Sequence, residues 1–244
     1  MKGVILAGGT GTRLYPLTRL INKHLLPIGE SPMISYGIER LKQAGITEIM
    51  LVISKQSAGL YTDFLGSGNS LGIDLTYKIQ DQAGGIGEAL NAAKGFIFPG
   101  ERFVVLLGDN LFLDDLKPFT DKFKKQPYGS ARVLLKQIQD PRRYGVPVFS
   151  EQDDRLISYI EEKPREPKSK YCVTGIYMYD DQVFDRIADT TPSARGELEI
   201  TDVNNLYAKD GRLEYDVLRK WWTDAGTFKS LGEAASKMRR SELK

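Results

Sequence analysis

Histidine and cysteine are almost missing from this chain of 244 residues, which holds one of each, His24 and Cys172. A lone cysteine closes no intramolecular disulfide, and the pair excludes a Cys-rich zinc site and any centre that needs two imidazoles. Cys172 therefore reads as a small buried hydrophobe rather than a nucleophile, and His24 as a loop or packing residue rather than a ligand. Charge of one sign is not in excess either. Lys and Arg number 34 against 32 Asp and Glu, a net +2, without the concentrated basic footprint of a nucleic-acid binder. No apolar run approaches the roughly 18 residues of a membrane helix. Met1-Lys2-Gly3, followed by a short apolar run into Gly8-Gly9, lacks the cleavage region of a signal peptide. The expectation is a soluble, cytoplasmic chain that binds neither nucleic acid nor membrane.

Repeats, low-complexity tracts and a clear interdomain linker are also lacking. What is present is alternation. The apolar runs Val4–Ala7, Glu48–Ile53, Leu75–Gln80 and Phe103–Leu107 read as buried strands. Helical patterns lie between them: one opened by Ser31 as N-cap with Pro32 at the first helical position, one over Gln56–Leu65 and one over Gly87–Lys94. Such alternation predicts an α/β fold, Rossmann-like, with a mostly parallel central sheet and helices on both faces. The second half carries strand-like Ala131–Ile138, Gly145–Phe149, Leu156–Glu161 and Val173–Tyr179 separated by turn-rich pieces, an antiparallel pattern. Helical patterns return at Gln182–Ala188, Glu199–Ala208 and Leu231–Arg240. A single domain is expected, with residues 1–130 and 131–227 as its two portions and a terminal helix near 228–241.

The first strand runs into Gly8-Gly9-Thr10-Gly11-Thr12-Arg13-Leu14. Glycines let several backbone N–H groups approach one anion, and Arg13 adds a planar, permanently charged fork suited to phosphate oxygens. The nicotinamide fingerprint needs glycine where Leu14 stands, and the P-loop needs a Gly-Lys-Ser/Thr that is absent. Lys23, in Lys23-His24-Leu25-Leu26-Pro27, places a second cation one short loop further on, as a triphosphate with growing negative charge requires.

Taken together, G-G-x-G-T-R-L-x-P-x-T and K-x-L-L-P closely resemble the sugar-phosphate nucleotidylyltransferases, in their short form. The likeness continues through Gln80 with Gly85-Ile86, Leu107-Gly108-Asp109-Asn110, Asp140–Val146, Glu161–Pro164, Val173–Tyr177, Arg195–Asn204 and Trp222–Thr227. The base loop Gln80–Gly85 departs from the Q-P-S-P-[DE]-G of many relatives, and His24 stands where Gln or Ala is common. The resemblance implies transfer of a thymidylyl group from dTTP to glucose 1-phosphate, with pyrophosphate leaving. The alternatives are a uridylyltransferase acting on the same sugar and a non-catalytic nucleotide-sugar-binding regulator.

The same resemblance implies the roles. Gly8, Gly9, Gly11 and Thr12 would cradle the triphosphate while Arg13 and Lys23 neutralise charge on the reacting phosphates. Gln80 and Gly85 would read the base. Asp109 and Asp224 would hold Mg²⁺, with Asp109 also on the nucleotide side. Lys163 would grip the sugar phosphate, and Glu162, Asn110, Tyr144, Gly145 and Val173 would contact the sugar. The family precedent is a homotetramer.

Overall fold

Six residues, Lys2–Ala7 (β1), are buried on both faces, which only a central strand of a covered sheet allows. The computed structural model describes residues 1–82 and 84–242. After β1 come two short strands, Pro27–Ile28 (β2) and Ser31–Pro32 (β3), then helix Met33–Gln43 (α1) and strand Glu48–Ser54 (β4). Helix Ala58–Leu65 (α2), strand Asp74–Gln80 (β5), helix Ile86–Asn91 (α3) and strand Arg102–Leu107 (β6) complete the alternating part. Next are Asn110–Phe112 (β7), helix Lys117–Phe123 (α4), Ala131–Gln137 (β8), Gly145–Phe149 (β9), Ile157–Glu162 (β10) and Tyr171–Asp180 (β11). Helices Val183–Ala188 (α5) and Ile200–Lys209 (α6), strands Leu213–Val217 (β12) and Trp222–Asp224 (β13), and helix Phe228–Glu242 (α7) close the chain.

Seven strands form one sheet in the order β12-β8-β11-β6-β1-β4-β5. β1 is parallel to both β4 and β6, β4 to β5 and β12 to β8, whereas β11 runs antiparallel to both β6 and β8. Residues alternate between two apolar cores. Val4 and Leu6 join one with α3, α5 and α6, while Ile5 and Ala7 join the other with α1 and α2. The mostly parallel sheet with helices on both faces is thus as expected, and the hairpin β9–β10 and the pair β7–β13 add the antiparallel part.

This register positions the site. β1 and its parallel neighbours β4 and β6 all end at the same edge, so Gly8 and Asp109 lie just beyond adjacent strand ends, where open α/β sheets bind ligands. Because β11 is antiparallel, with Ile176 opposite Leu106, its first residues reach that edge too. The β8–β11 register shifts between Val173 and Tyr177, an irregularity of the kind that re-aims side chains beside a site.

One expectation needs correction. Ser31 is not an N-cap: Ser31 and Pro32 form β3 paired to β2, and α1 begins at Met33. The Met33 N–H donates to the Leu26 carbonyl at 3.0 Å, so the backbone of the preceding loop satisfies the helix end that a serine would otherwise cap. The unforeseen strands β7, β12 and β13 are short or half-polar, and each is defined by pairing with a distant segment rather than by its own pattern. Helix α7 begins at Phe228, three residues before the helical pattern at Leu231, for a local reason. Thr227 Oγ1 accepts the Ser230 N–H at 3.2 Å while Ser230 Oγ accepts the Thr227 N–H at 3.1 Å, a reciprocal cap.

Candidate active site

At the end of β1 the chain passes Gly8 with no room for a side chain: a β-carbon there would lie 2.3 Å from Gln80 Oε1. Gly11 turns in the left-handed region (φ 66°) and opens a single 3-10 turn, Thr12–Leu14, that carries Arg13. The Gly11 carbonyl accepts Thr18 Oγ1–H at 2.7 Å. Gly8, Gly9 and Arg13 line the cavity described below, whereas Gly11 and Thr12 do not. They instead form the start of the turn that carries Arg13.

Lys23 sits on another 3-10 turn, Lys23–Leu25, capped by Asn22. Asn22 is buried and gathers three segments. Its Oδ1 accepts N–H groups of His24 at 3.0 Å and the Tyr61 hydroxyl at 3.0 Å, and its Nδ2 reaches the carbonyl oxygens of Ala7 and Gly9 at 3.5 and 3.4 Å. His24 Nδ1 lies 2.8 Å from the same oxygen, so Nδ1 bears the proton of a neutral ring. Burial, reinforced by the Lys23 charge, lowers the His24 imidazole from 6.5 to about 3. His24 is a packing residue as expected, and it also borders the cavity. Asn22 went unnoticed in the sequence because nothing local distinguishes it from any loop asparagine.

Lys23 Nζ lies 2.5 Å from Asp109 Oδ2. Burial alone would raise the Asp109 carboxyl, but the Lys23 charge and hydrogen bonds from Lys23 and Asn110 hold it well below the usual range. Asn110 organises this corner. Its Nδ2 donates to Asp109 Oδ1 at 3.1 Å, and its Oδ1 accepts the Gly175 N–H at 2.9 Å and the Trp222 indole N–H at 2.8 Å. Asp224 arrives on β13, which pairs with β7 so that Asp224 faces Asn110 in register. Burial and the Asp109 charge raise the Asp224 carboxyl, and Arg13, whose Nη2 is 3.9 Å from it, offsets this only in part.

At the far end, Glu162 Oε1 pairs with Lys163 Nζ at 2.8 Å and Glu162 Oε2 accepts the Thr201 hydroxyl at 2.6 Å. Lys163 holds a left-handed backbone (φ 48°), the one described non-glycine residue to do so, and its N–H donates to the Tyr144 carbonyl at 3.1 Å. Such a conformation costs a bulky residue of order 1 kcal/mol and clusters at functional sites. The Tyr144 ring stands edge-on to Trp222 at 5.6 Å, and burial with the Asp224 charge pushes its hydroxyl up to about 12.

These groups surround one cavity of about 480 Å³, within the usual size for a small-molecule site. Arg13, Lys23, Gln80, Gly85, Asp109 and Asp224 border it, and so do Asn110, Tyr144, Gly145, Glu162, Lys163 and Val173. Ala83, within the base loop, lies outside the described residues. The structure adds Arg143, Tyr177, Arg195 and Thr201 to the lining. All four stood inside motifs quoted above but carried no assigned role. Arg195 is held by Glu199 at 2.7 Å. Chemically, a ring of Arg and Lys with two aspartates at one end and a carboxylate–hydroxyl pair at the other suits a polyanion joined to a polyol.

The nucleotidyl transferase family model matches residues 2–241. A glucose-1-phosphate thymidylyltransferase of Neisseria meningitidis serogroup A is 42% identical over 97% of this chain and 82% of its own length. One from Mycobacterium tuberculosis (strain CDC 1551) is 39% identical, over 99% and 83%. A Bacillus anthracis crystal structure with bound sucrose, given a provisional glucose-1-phosphate thymidylyltransferase name, superposes with a TM-score of 0.92 at 52% identity, over 98% of this chain and 95% of the other. A UDP-glucose pyrophosphorylase with UDP-glucose is more distant, at TM-score 0.85 and 25% identity over 98% of both chains.

Proposed function

The chain belongs to the nucleotidyl transferase family, and we propose that within it the protein transfers the thymidylyl group of dTTP to glucose 1-phosphate. The observation that carries this reading is the convergence of Lys23, Asp109, Asp224 and Lys163 on one cavity, supported by relatives named for that reaction. An oxygen of the sugar phosphate attacks the α-phosphorus and forms the new P–O bond. The bond to the β-phosphate breaks, and its electron pair leaves with pyrophosphate. The attacking phosphate is already anionic, so no general base and no covalent enzyme intermediate is needed, and catalysis reduces to alignment and charge stabilisation.

Gly8 and Gly9 let the triphosphate lie against backbone, and Arg13 and Lys23 neutralise charge that builds on the transferred and departing phosphates. Lys163 aligns the nucleophilic phosphate, and Glu162, held by Thr201, accepts hydrogen bonds from sugar hydroxyls. Asp109 and Asp224 fit a hard divalent ion such as Mg²⁺. They are two carboxylates lining one cavity, hard oxygen donors of the kind such an ion takes. When bound, the ion supplies positive charge to the phosphate oxygens.

We carry the family's homotetramer, a cytoplasmic location and the division into residues 1–130 and 131–227 with a terminal helix to 241 as parts of the same reading. No described helix is long and apolar enough to cross a membrane. A pyrophosphate-release assay crossing dTTP, UTP, dCTP and dATP with several hexose 1-phosphates, with and without Mg²⁺, tests the reading. Release that is fastest with dTTP and glucose 1-phosphate and depends on the ion is expected. Faster release with UTP would reassign the base.

A further inference from the structure

Gln80 ends the edge strand β5, half-buried, and lines the cavity beside Gly8. Its amide has two ends of similar shape and opposite hydrogen-bonding sign, an accepting Oε1 and a donating Nε2. Glu88, early in α3, decides which end goes where. Gln80 Nε2 donates to Glu88 Oε2 at 2.6 Å, and the Gly84 N–H donates to that same oxygen at 2.9 Å. The reversed amide would press Oε1 against an oxygen already acting as an acceptor for Gly84, two acceptors face to face. Oε1 is therefore turned to the glycine loop, where the missing side chain of Gly8 leaves it room.

We infer that Glu88 is a positioning residue that fixes the base specificity of the site, by holding Gln80 with its acceptor toward the cavity; this rests on the thymidylyl-transfer reading above. A pyrimidine with a protonated N3 donates to Oε1, and the Nε2 hydrogen not engaged by Glu88 donates to the neighbouring C4 carbonyl. Cytosine presents a bare N3 and an amino group, so acceptor meets acceptor and donor meets donor. Thymine and uracil share the accepted edge. The selected class is thus pyrimidine nucleotides with an imide edge, and the refused class is those with an amidine edge.

The test compares dTTP with dCTP on the full chain, by kcat/KM with glucose 1-phosphate and, without sugar phosphate, by calorimetric affinity. The wild type should favour dTTP by about 10⁴ in kcat/KM, the scale on which a mispaired polar site rejects a ligand. Glu88→Leu frees the amide to rotate and should lower that ratio about a hundredfold, whereas Glu88→Gln, which keeps an acceptor oxygen for Gln80 and Gly84, should hold it within about threefold. Should Glu88→Leu not fold, Glu88→Lys decides. Its ammonium donates to Oε1, turns Nε2 to the cavity and should move the ratio toward dCTP. Equal losses for both nucleotides, or a ratio unmoved in the folded variant, overturns the inference. A wild type that binds dTTP over dCTP but transfers neither would sink the reaction assignment alone, because the affinity ratio still reads the amide.

Discussion

Lys23 Nζ stands 2.5 Å from Asp109 Oδ2, both side chains nearly enclosed, at 13% and 11% exposure. In the proposed reaction the phosphates would claim the cation and a divalent ion the anion, so the two partners would act separately. Lys23→Ala and Asp109→Asn should each lower kcat by about 10²–10³, the usual loss on removing a group that stabilises transition-state charge. Because the two touch, the double variant should lose less than the product of the single effects. Stability should respond unequally: Lys23→Ala strands a buried carboxylate and should cost about 3 kcal/mol. Steady-state kinetics and urea titrations of the three variants check both statements.

Acid should weaken the fold through His24. Its folded value, lowered by burial to about 3 from 6.5, means that the unfolded chain takes up a proton first as pH falls. Its contribution is complete above the unfolded value and is lost progressively between pH 6.5 and about 3. Between pH 7 and about pH 4.5 the loss should be on the order of 2–3 kcal/mol at 1.36 kcal/mol per unit. Asp109, held low, begins to subtract only below the ordinary carboxylate range, so the two windows separate. His24→Gln should flatten the slope above about pH 4.5 in denaturant titrations; an unchanged slope would assign it elsewhere.

Asn22→Ala removes the acceptor shared by His24 and Tyr61. Leaving three donors, the His24 backbone and Nδ1 N–H groups and the Tyr61 hydroxyl, without this acceptor should cost about 3 kcal/mol and lower affinity for dTTP, since the same side chain steadies the carbonyls of Ala7 and Gly9. Thermal unfolding and dTTP titration should move together.

Lys163→Gly relieves the left-handed backbone and removes the charge. The expected result is a protein as stable as the wild type or about 1 kcal/mol more so, with a raised KM for glucose 1-phosphate and little change in KM for dTTP. A KM rise for both substrates would place Lys163 on the nucleotide instead.

UTP should be a slower but real substrate, because one methyl group is worth only about 1–3 kcal/mol. Parallel kcat/KM measurements with dTTP and UTP check this.

Much of the site is local chemistry and was legible in the residues themselves. Gly8, Gly9, Arg13 and Lys23 marked a candidate anion site because glycine backbone lets N–H groups approach an anion and fixed cations suit phosphate oxygens. The alternating apolar runs implied the parallel sheet because strands covered on both faces must be apolar throughout. Three relationships needed the folded chain. Asp224 joins Asp109 only because β13 pairs with β7, more than a hundred residues away in sequence. Ser31 loses its capping role because the Leu26 carbonyl reaches Met33 first. Gln80 has a direction only because Glu88 and Gly84 meet at one oxygen. Residue types set which interactions are possible. Which possible partner wins depends on distances between segments remote in the chain, and those exist only once the sheet has closed its register.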